Sequence, residues 1–188
     1  MPMAGFAPNN FEGVLEMLTI ERVLQFYPDT DLLGKLIQHF QMMTQFSLLE
    51  ALPVIGPIDT LWLLRAAAPL ELQQKIAFLL AKLVLPIFER ELPDDRRALD
   101  LFNNCRRMLS GAGDVLRYRE CLEGLTQLEP SYRERPQMAC TLMAITSAAC
   151  VVDEPLAADC VWLTGKHVEI ALGNVEPIKW VLEKELSR

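Results

Sequence analysis

The chain has 188 residues, 51% hydrophobic and 23% charged, with 18 basic and 25 acidic side chains and a formal net charge of −7. That length suits one domain whose core needs no disulfide or metal staple, and the acidic balance argues against nucleic acid as a partner. Residues 1 to 60 hold Glu12, Glu16, Glu21, Asp29, Asp31, Glu50 and Asp59 against Arg22 and Lys35, a concentration of charge that would steer a basic partner.

Cys105, Cys121, Cys140, Cys150 and Cys160 form no Cys-x-x-Cys pair and have no neighbouring histidine. An odd number at wide spacing reads as reduced, buried thiols in a cytoplasmic protein. Met1 to Asn10 lack the charged start and long apolar run of a signal peptide. Ile76 to Phe88 carries Lys82 and Pro86 and is well short of the roughly 20 residues a bilayer requires. Pro136 to Val152 is uncharged but diluted by Gln137, Thr141, Thr146, Ser147 and alanines, a composition suited to close helix packing. No membrane is expected among the partners.

Taken in chain order, the punctuation is helical almost throughout, and the expected class is all-α: a compact orthogonal or up-down bundle of about nine helices with essentially no strand. A first helix is expected to start after Asn9 or Asn10 and run to Phe26, with Val14, Leu15, Leu18, Val23 and Phe26 on its buried face, ended by Tyr27-Pro28. A second, capped by Asp29 or Thr30, runs towards Leu49. Pro53, Gly56 and Pro57 break the chain. Asp59 then stands as N-cap of Thr60 to Ala67, and Pro69 opens a long helix to Glu91 that Pro86 can kink. Pro93-Asp94-Asp95 starts a helix with Leu99, Phe102, Cys105 and Leu109 on one stripe, closed by Gly111 to Gly113. Asp114 opens a helix to about Leu128. Pro136 to Ala149, Pro155 to Leu172 and Val175 to Leu186 complete the set, the last two introduced by Asp153 and Asn174. The whole of 1–188 reads as one helical domain, in which 1–57 is an acidic extension packed on a 58–188 core bundle.

Candidates for chemistry are sparse. His167 and Glu169 make a His-x-Glu without the Pro-Cys-x-x-Cys of the zinc deaminases, and two residues apart on a helix they point away from each other. His39 belongs to no Glu-x-x-His pair. Ser110-Gly111 is no nucleophile elbow, and Gly111-Ala112-Gly113 lies between helices rather than after a strand. The arginines from Arg90 to Arg135 are matched by a comparable number of acids, which suggests an ion-paired surface. Asp59, Asp94 and Asp153 read as N-caps before they read as a dispersed carboxylate site. Thus no catalytic residue, cofactor or metal is expected. Trp62, with Asp59 at i−3 and Arg65 at i+3, is the first candidate for a recognition patch, and Asp94 and Asp95 are further acidic candidates for partner contact.

The segment Asp59-Thr60-Leu61-Trp62-Leu63-Leu64-Arg65-Ala66 resembles the Asp-x-Leu-Trp-x-Leu-Arg-Ala segment of a family of bacterial helical immunity proteins of polymorphic toxin systems. The resemblance continues through Leu85-Pro86-Ile87-Phe88-Glu89 and Pro93-Asp94-Asp95-Arg96-Arg97-Ala98-Leu99, and loosely through Asp159 to Leu172, so it spans about 58–172. Alanine-rich repeats of the family are replaced here by Met, Thr and Cys around Met138 to Cys150, and residues 1 to about 57 have no counterpart. The resemblance implies a stoichiometric binder of a toxin domain, with no catalytic residues to carry over. The other expectation is a helical adaptor or homodimerising module.

Overall fold

The computed structural model describes residues 15–26, 30–40, 43, 45–152 and 157–187. Among them lie ten α-helices: α1 (Ile20–Phe26), α2 (Thr30–Phe40), α3 (Leu48–Ile55), α4 (Pro57–Ala67), α5 (Leu70–Glu91), α6 (Arg97–Leu109), α7 (Val115–Thr126), α8 (Pro136–Cys150), α9 (Ala157–Leu172) and α10 (Glu176–Leu186). One 3-10 turn, Glu129–Tyr132, joins α7 to α8. The all-α expectation holds, and an isolated antiparallel bridge is the sole strand-like pairing among the described residues.

Three helices make the centre: α5, α8 and α9 each pack extensively on the other two. In α5, Ile76, Ala77, Leu80, Ala81, Val84, Leu85 and Phe88 are buried as a broad stripe, while Phe78 and Ile87 are buried beside it, so the helix is covered on more than one side. Pro86 lies on an exposed position, and the helix continues through it. Small residues on α8, Ala139, Ala144, Ala148 and Ala149, allow neighbouring backbones to approach. The hydroxyls of Thr141 and Thr164 donate to carbonyls one turn back, on Gln137 (2.8 Å) and Cys160 (2.7 Å), which satisfies them inside the core. Gln137 Nε2 donates to the Ala171 carbonyl at 3.0 Å, tying the start of α8 to the end of α9. Gln74 Nε2 donates to the Val151 carbonyl at 3.0 Å and so covers the end of α8.

Around this centre, α10 packs Ile178, Val181, Leu182 and Leu186 inward and is pinned to α5 by Lys75 Nζ and Glu185 Oε2 at 2.5 Å, with Glu185 buried. The α6–α7 pair adds Leu101, Phe102, Cys105 and Leu125, and Phe102 meets Phe78 of α5 edge-on at 5.9 Å between centroids.

The N-terminal third departs most from expectation. Asn9 to Val14, Tyr27-Pro28 and Asp29 lie outside the described residues, but the chain from Leu15 to Thr19 is not helical, and α1 begins only at Ile20. Leu18 pairs with Phe46 through two backbone hydrogen bonds, 2.7 and 2.9 Å, and Phe46 stacks on Phe40 at 4.3 Å. All three side chains are buried. The second helix stops at Phe40 rather than near Leu49, and α3 is a separate helix with its own capping box. There Ser47 Oγ accepts from Glu50 N (3.2 Å) and Glu50 Oε2 accepts from Ser47 N (2.7 Å). That same backbone hydrogen bond is the main reason the Glu50 carboxyl lies below the usual carboxylate range. Pro53 sits inside α3. The break comes at Gly56, whose φ of +85° suits glycine, followed by Pro57 at the first turn of α4.

Two caps also moved. Gly56 rather than Asp59 occupies the N-cap of α4, and Asp59 is its third residue. α6 begins at Arg97, two residues beyond Asp95, and buries Ala98, Leu101, Phe102 and Cys105, so the stripe is rotated and Leu109 is exposed. Asp114 does cap α7, accepting from Leu116 N and Arg117 N, and Asn174 Oδ1 accepts from Glu176 N at 2.9 Å. Asp153 and Pro155 lie outside the described residues.

Candidate functional site

Asp59, Trp62 and Arg65 occupy successive turns of α4, and the fold sets Trp62 and Arg65 against α9. The Trp62 and Trp162 rings lie 5.8 Å apart at 37°, and both side chains are half-buried. Beside them Arg65 Nη1 lies 3.6 Å from Asp159 Oδ1, both exposed. Lys166 Nζ sits 5.8 Å from the Trp162 ring centroid, within cation–π range. Trp162 Nε1 is buried with no hydrogen-bond partner among the described residues. A surface of two amphipathic rings flanked by both signs of charge therefore forms from residues about a hundred positions apart.

Close helix contact holds this corner. Gly165 of α9 faces Leu61 of α4, and a Cβ on Gly165 would lie 2.1 Å from Leu61 Cδ1. Leu61 and Leu64 are buried against the bundle, so Trp62 and Arg65, on the outer side of α4, are carried by a helix with little freedom to shift. Sequence reasoning found the α4 half alone. The α9 half had a signal: Asp159-Cys160-Val161-Trp162 repeats the Asp-x-x-Trp spacing of Asp59 to Trp62, each followed within about a turn by a cation, Lys166 or Arg65.

Asp94 and Asp95 do different work. Asp94 is exposed at the turn between α5 and α6. Asp95 grips Arg97: its Oδ1 accepts from the Arg97 backbone N–H (2.9 Å) and Nε (3.0 Å), and Oδ2 accepts from Nη2 (2.6 Å). Arg97 Nη1 in turn donates to the Gly124 carbonyl of α7 at 2.8 Å. The Arg97 side-chain hydrogen bonds hold the Asp95 carboxyl below its usual range. Asp95 thus helps to join α6 and α7 through Arg97.

Several titratable groups elsewhere are subdued by burial. His167 is half-buried, and burial lowers its pKa. Cys105 is pushed up to about 12, first by burial, which disfavours the nucleophilic thiolate at neutral pH; burial also raises Cys121, Cys140 and the Tyr118 hydroxyl. Among the described residues no three of His, Cys, Asp and Glu are placed to hold a metal ion. A small cleft of about 220 Å³ is lined by Ile87, Glu91, Arg135, Pro136, Gln137 and Met138, but Arg135 pairs with Glu91 and Gln137 is engaged with Ala171. No helix among the described residues is long and apolar enough to cross a membrane.

Fold and site together define an all-α bundle that presents an aromatic and charged corner on two firmly packed helices. The chain matches no family model, no curated protein and no solved structure in comparison with known proteins.

Proposed function

We propose that this chain is a non-catalytic protein-binding domain that acts in the cytoplasm as an immunity-type protein, neutralising a cognate bacterial toxin by direct binding. The observation that carries the binding reading is the Trp62–Trp162 corner with Arg65, Asp159 and Lys166. Tryptophan and arginine on a rigid support are the side chains that most often dominate protein interfaces. The immunity reading rests on the resemblance, whose first segment, Asp59 to Ala66, is the α4 half of that corner. A net charge of −7 favours a basic toxin domain, through faster encounter.

Co-expression of the chain with whatever protein is encoded beside it tests this reading, which expects that neighbour to be basic. It expects a one-to-one complex that weakens with salt and a partner that is toxic when expressed alone. It also expects Asp159→Lys, which puts a cation where the corner offers an exposed carboxylate to a basic partner, to weaken the complex at least tenfold with little change in the melting temperature. A complex indifferent to this change would remove the corner from the interface. The second reading, a homodimerising module, is favoured by Met143, Leu163 and Ile170, exposed apolar residues on the neighbouring helices α8 and α9. A dimeric mass with no captured partner would favour it.

A further inference from the structure

The tip of the α6–α7 pair gathers exposed apolar side chains and arginines in a short stretch. From Leu109 to Glu120 every residue is exposed except Gly113 and Tyr118, which are half-buried. Three large apolar side chains stand in this short stretch: Leu109 is 45% exposed, Val115 49% and Leu116 71%. One turn behind them come Arg106 and Arg107 on α6 and Arg119 on α7, the last at i+4 from Val115 and i+3 from Leu116. Asp114 is the one acid between Arg106 and Arg119, and its carboxylate is engaged by the backbone N–H groups of Leu116 and Arg117. Arg117 is paired with Asp100 and Glu120, whereas Arg107 and Arg119 make no ion pair among the described residues. The result is an apolar cap with a cationic collar on a protein of net charge −7.

This tip is also fixed in shape. Asn104 Oδ1 accepts from Asp114 N at 2.9 Å, and Asn104 Nδ2 donates to the Asp114 carbonyl, so the loop is closed across its base. Gly111 takes φ +76°, and a Cβ on Gly113 would lie 2.5 Å from the Met108 backbone nitrogen. The closed loop thus fixes the helix ends on which Leu109, Val115 and Leu116 stand exposed.

We propose that the α6–α7 tip docks on an anionic lipid surface, with Leu109, Val115 and Leu116 entering the headgroup boundary and Arg106, Arg107 and Arg119 meeting lipid phosphates and carboxylates. A projecting cap needs no complementary pocket at a lipid surface, whereas a protein partner would have to supply one. Arginine stems can lie along the apolar zone while the guanidinium groups reach the headgroups. Charges farther than about 8 Å are largely screened at physiological salt, so the local field is set by Arg106, Arg107, Arg117 and Arg119 against Asp100, Asp114 and Glu120, a small positive excess on a protein of negative net charge. This is a peripheral contact that needs no spanning helix, and it would revise the expectation that no membrane is a partner.

Co-sedimentation of the full chain with large vesicles tests the proposal, using phosphatidylcholine alone and phosphatidylcholine with a third phosphatidylglycerol. Binding is expected to the anionic vesicles, to weaken as salt is raised, and to be at least tenfold lower on neutral ones. Leu116→Asp should lower it about tenfold. Leu116 lies in the first turn of α7, where a carboxylate favours the helix, so this variant is expected to fold, as its circular dichroism will show. Arg107→Glu with Arg119→Glu should abolish binding to anionic vesicles, and Leu116→Phe should retain it. Absence of sedimentation at low salt, equal binding to neutral vesicles, or indifference to Leu116→Asp would each overturn the proposal. Capture of an acidic protein through these residues, with no vesicle binding, would overturn it in favour of a protein ligand.

Discussion

The α4–α9 corner and the α6–α7 pair are both two-helix surfaces, but they are held by different forces. At the corner, a glycine on one helix receives a leucine from the other, and apolar packing fixes the angle at which Trp62 and Trp162 emerge. In the α6–α7 pair, polar groups do much of the positioning: Asp95 grips Arg97, Arg97 reaches the Gly124 carbonyl, and Asn104 closes the loop at Asp114. Apolar packing is sensitive to volume, and polar bracing is sensitive to the loss of one partner. The two regions should therefore respond to different substitutions.

The largest expected effect is at Leu61. Leu61→Ala should lower unfolding stability by about 3 kcal/mol, since the side chain is buried and the space it leaves cannot close fully. Gly165→Ala alone should cost about 2 kcal/mol by overpacking Leu61. The same change made in the Leu61→Ala background should be neutral or stabilising by up to about 1 kcal/mol, the helix preference of alanine over glycine. Denaturant unfolding of the four proteins checks this coupling, and additive costs would break the knob-and-glycine account of the corner.

Next comes Asp95. Asp95→Ala should cost about 1.5 kcal/mol through the lost grip on Arg97, while Asp94→Ala should stay within about 0.5 kcal/mol. Melting temperatures of both variants separate the two aspartates. Asn104→Ala should cost about 1 kcal/mol, and its amide-exchange effect should be confined to the Asp114 end of α7.

The smallest effect is a pH dependence. The Asp95 carboxyl is held low by Arg97 in the folded state, so its contribution is complete above the unfolded carboxylate value near 4 and is lost as pH falls through the lower folded value. The stability gap between the native chain and Asp95→Asn should be constant above about pH 5 and should narrow below about pH 4. A gap that widened on acidification would reverse the sign and contradict the assigned cause.

How much of this was legible in the sequence follows the same division between local and long-range causes. Helices α5, α7, α8 and α10 announced themselves through proline, aspartate, asparagine and glycine punctuation, because capping is settled within a few residues. The N-terminal third did not, because the segment around Leu18 is drawn out of a helix by pairing with Phe46, 28 positions away, a tertiary preference that overrides local pattern. At Asp94-Asp95 the pattern pointed to Asp94 as the N-cap, but α6 begins at Arg97 with Arg96 in the cap position. The neighbouring Asp95 is engaged by Arg97, which reaches the Gly124 carbonyl far along the chain. The corner was half-visible: Asp59, Trp62 and Arg65 share a face on any helix, but Asp159, Trp162 and Lys166 join them only because Gly165 lets α9 approach α4.

The central claim is that this corner is a contact surface rather than a structural cluster. Its most direct test is calorimetric titration of a basic protein captured by co-expression, as the proposal expects, into the native chain and into the Asp159→Lys variant, with melting temperatures recorded in parallel. The account predicts at least a tenfold loss of affinity at unchanged melting temperature. Unchanged affinity, or an affinity loss that tracks a fall in melting temperature, would contradict it.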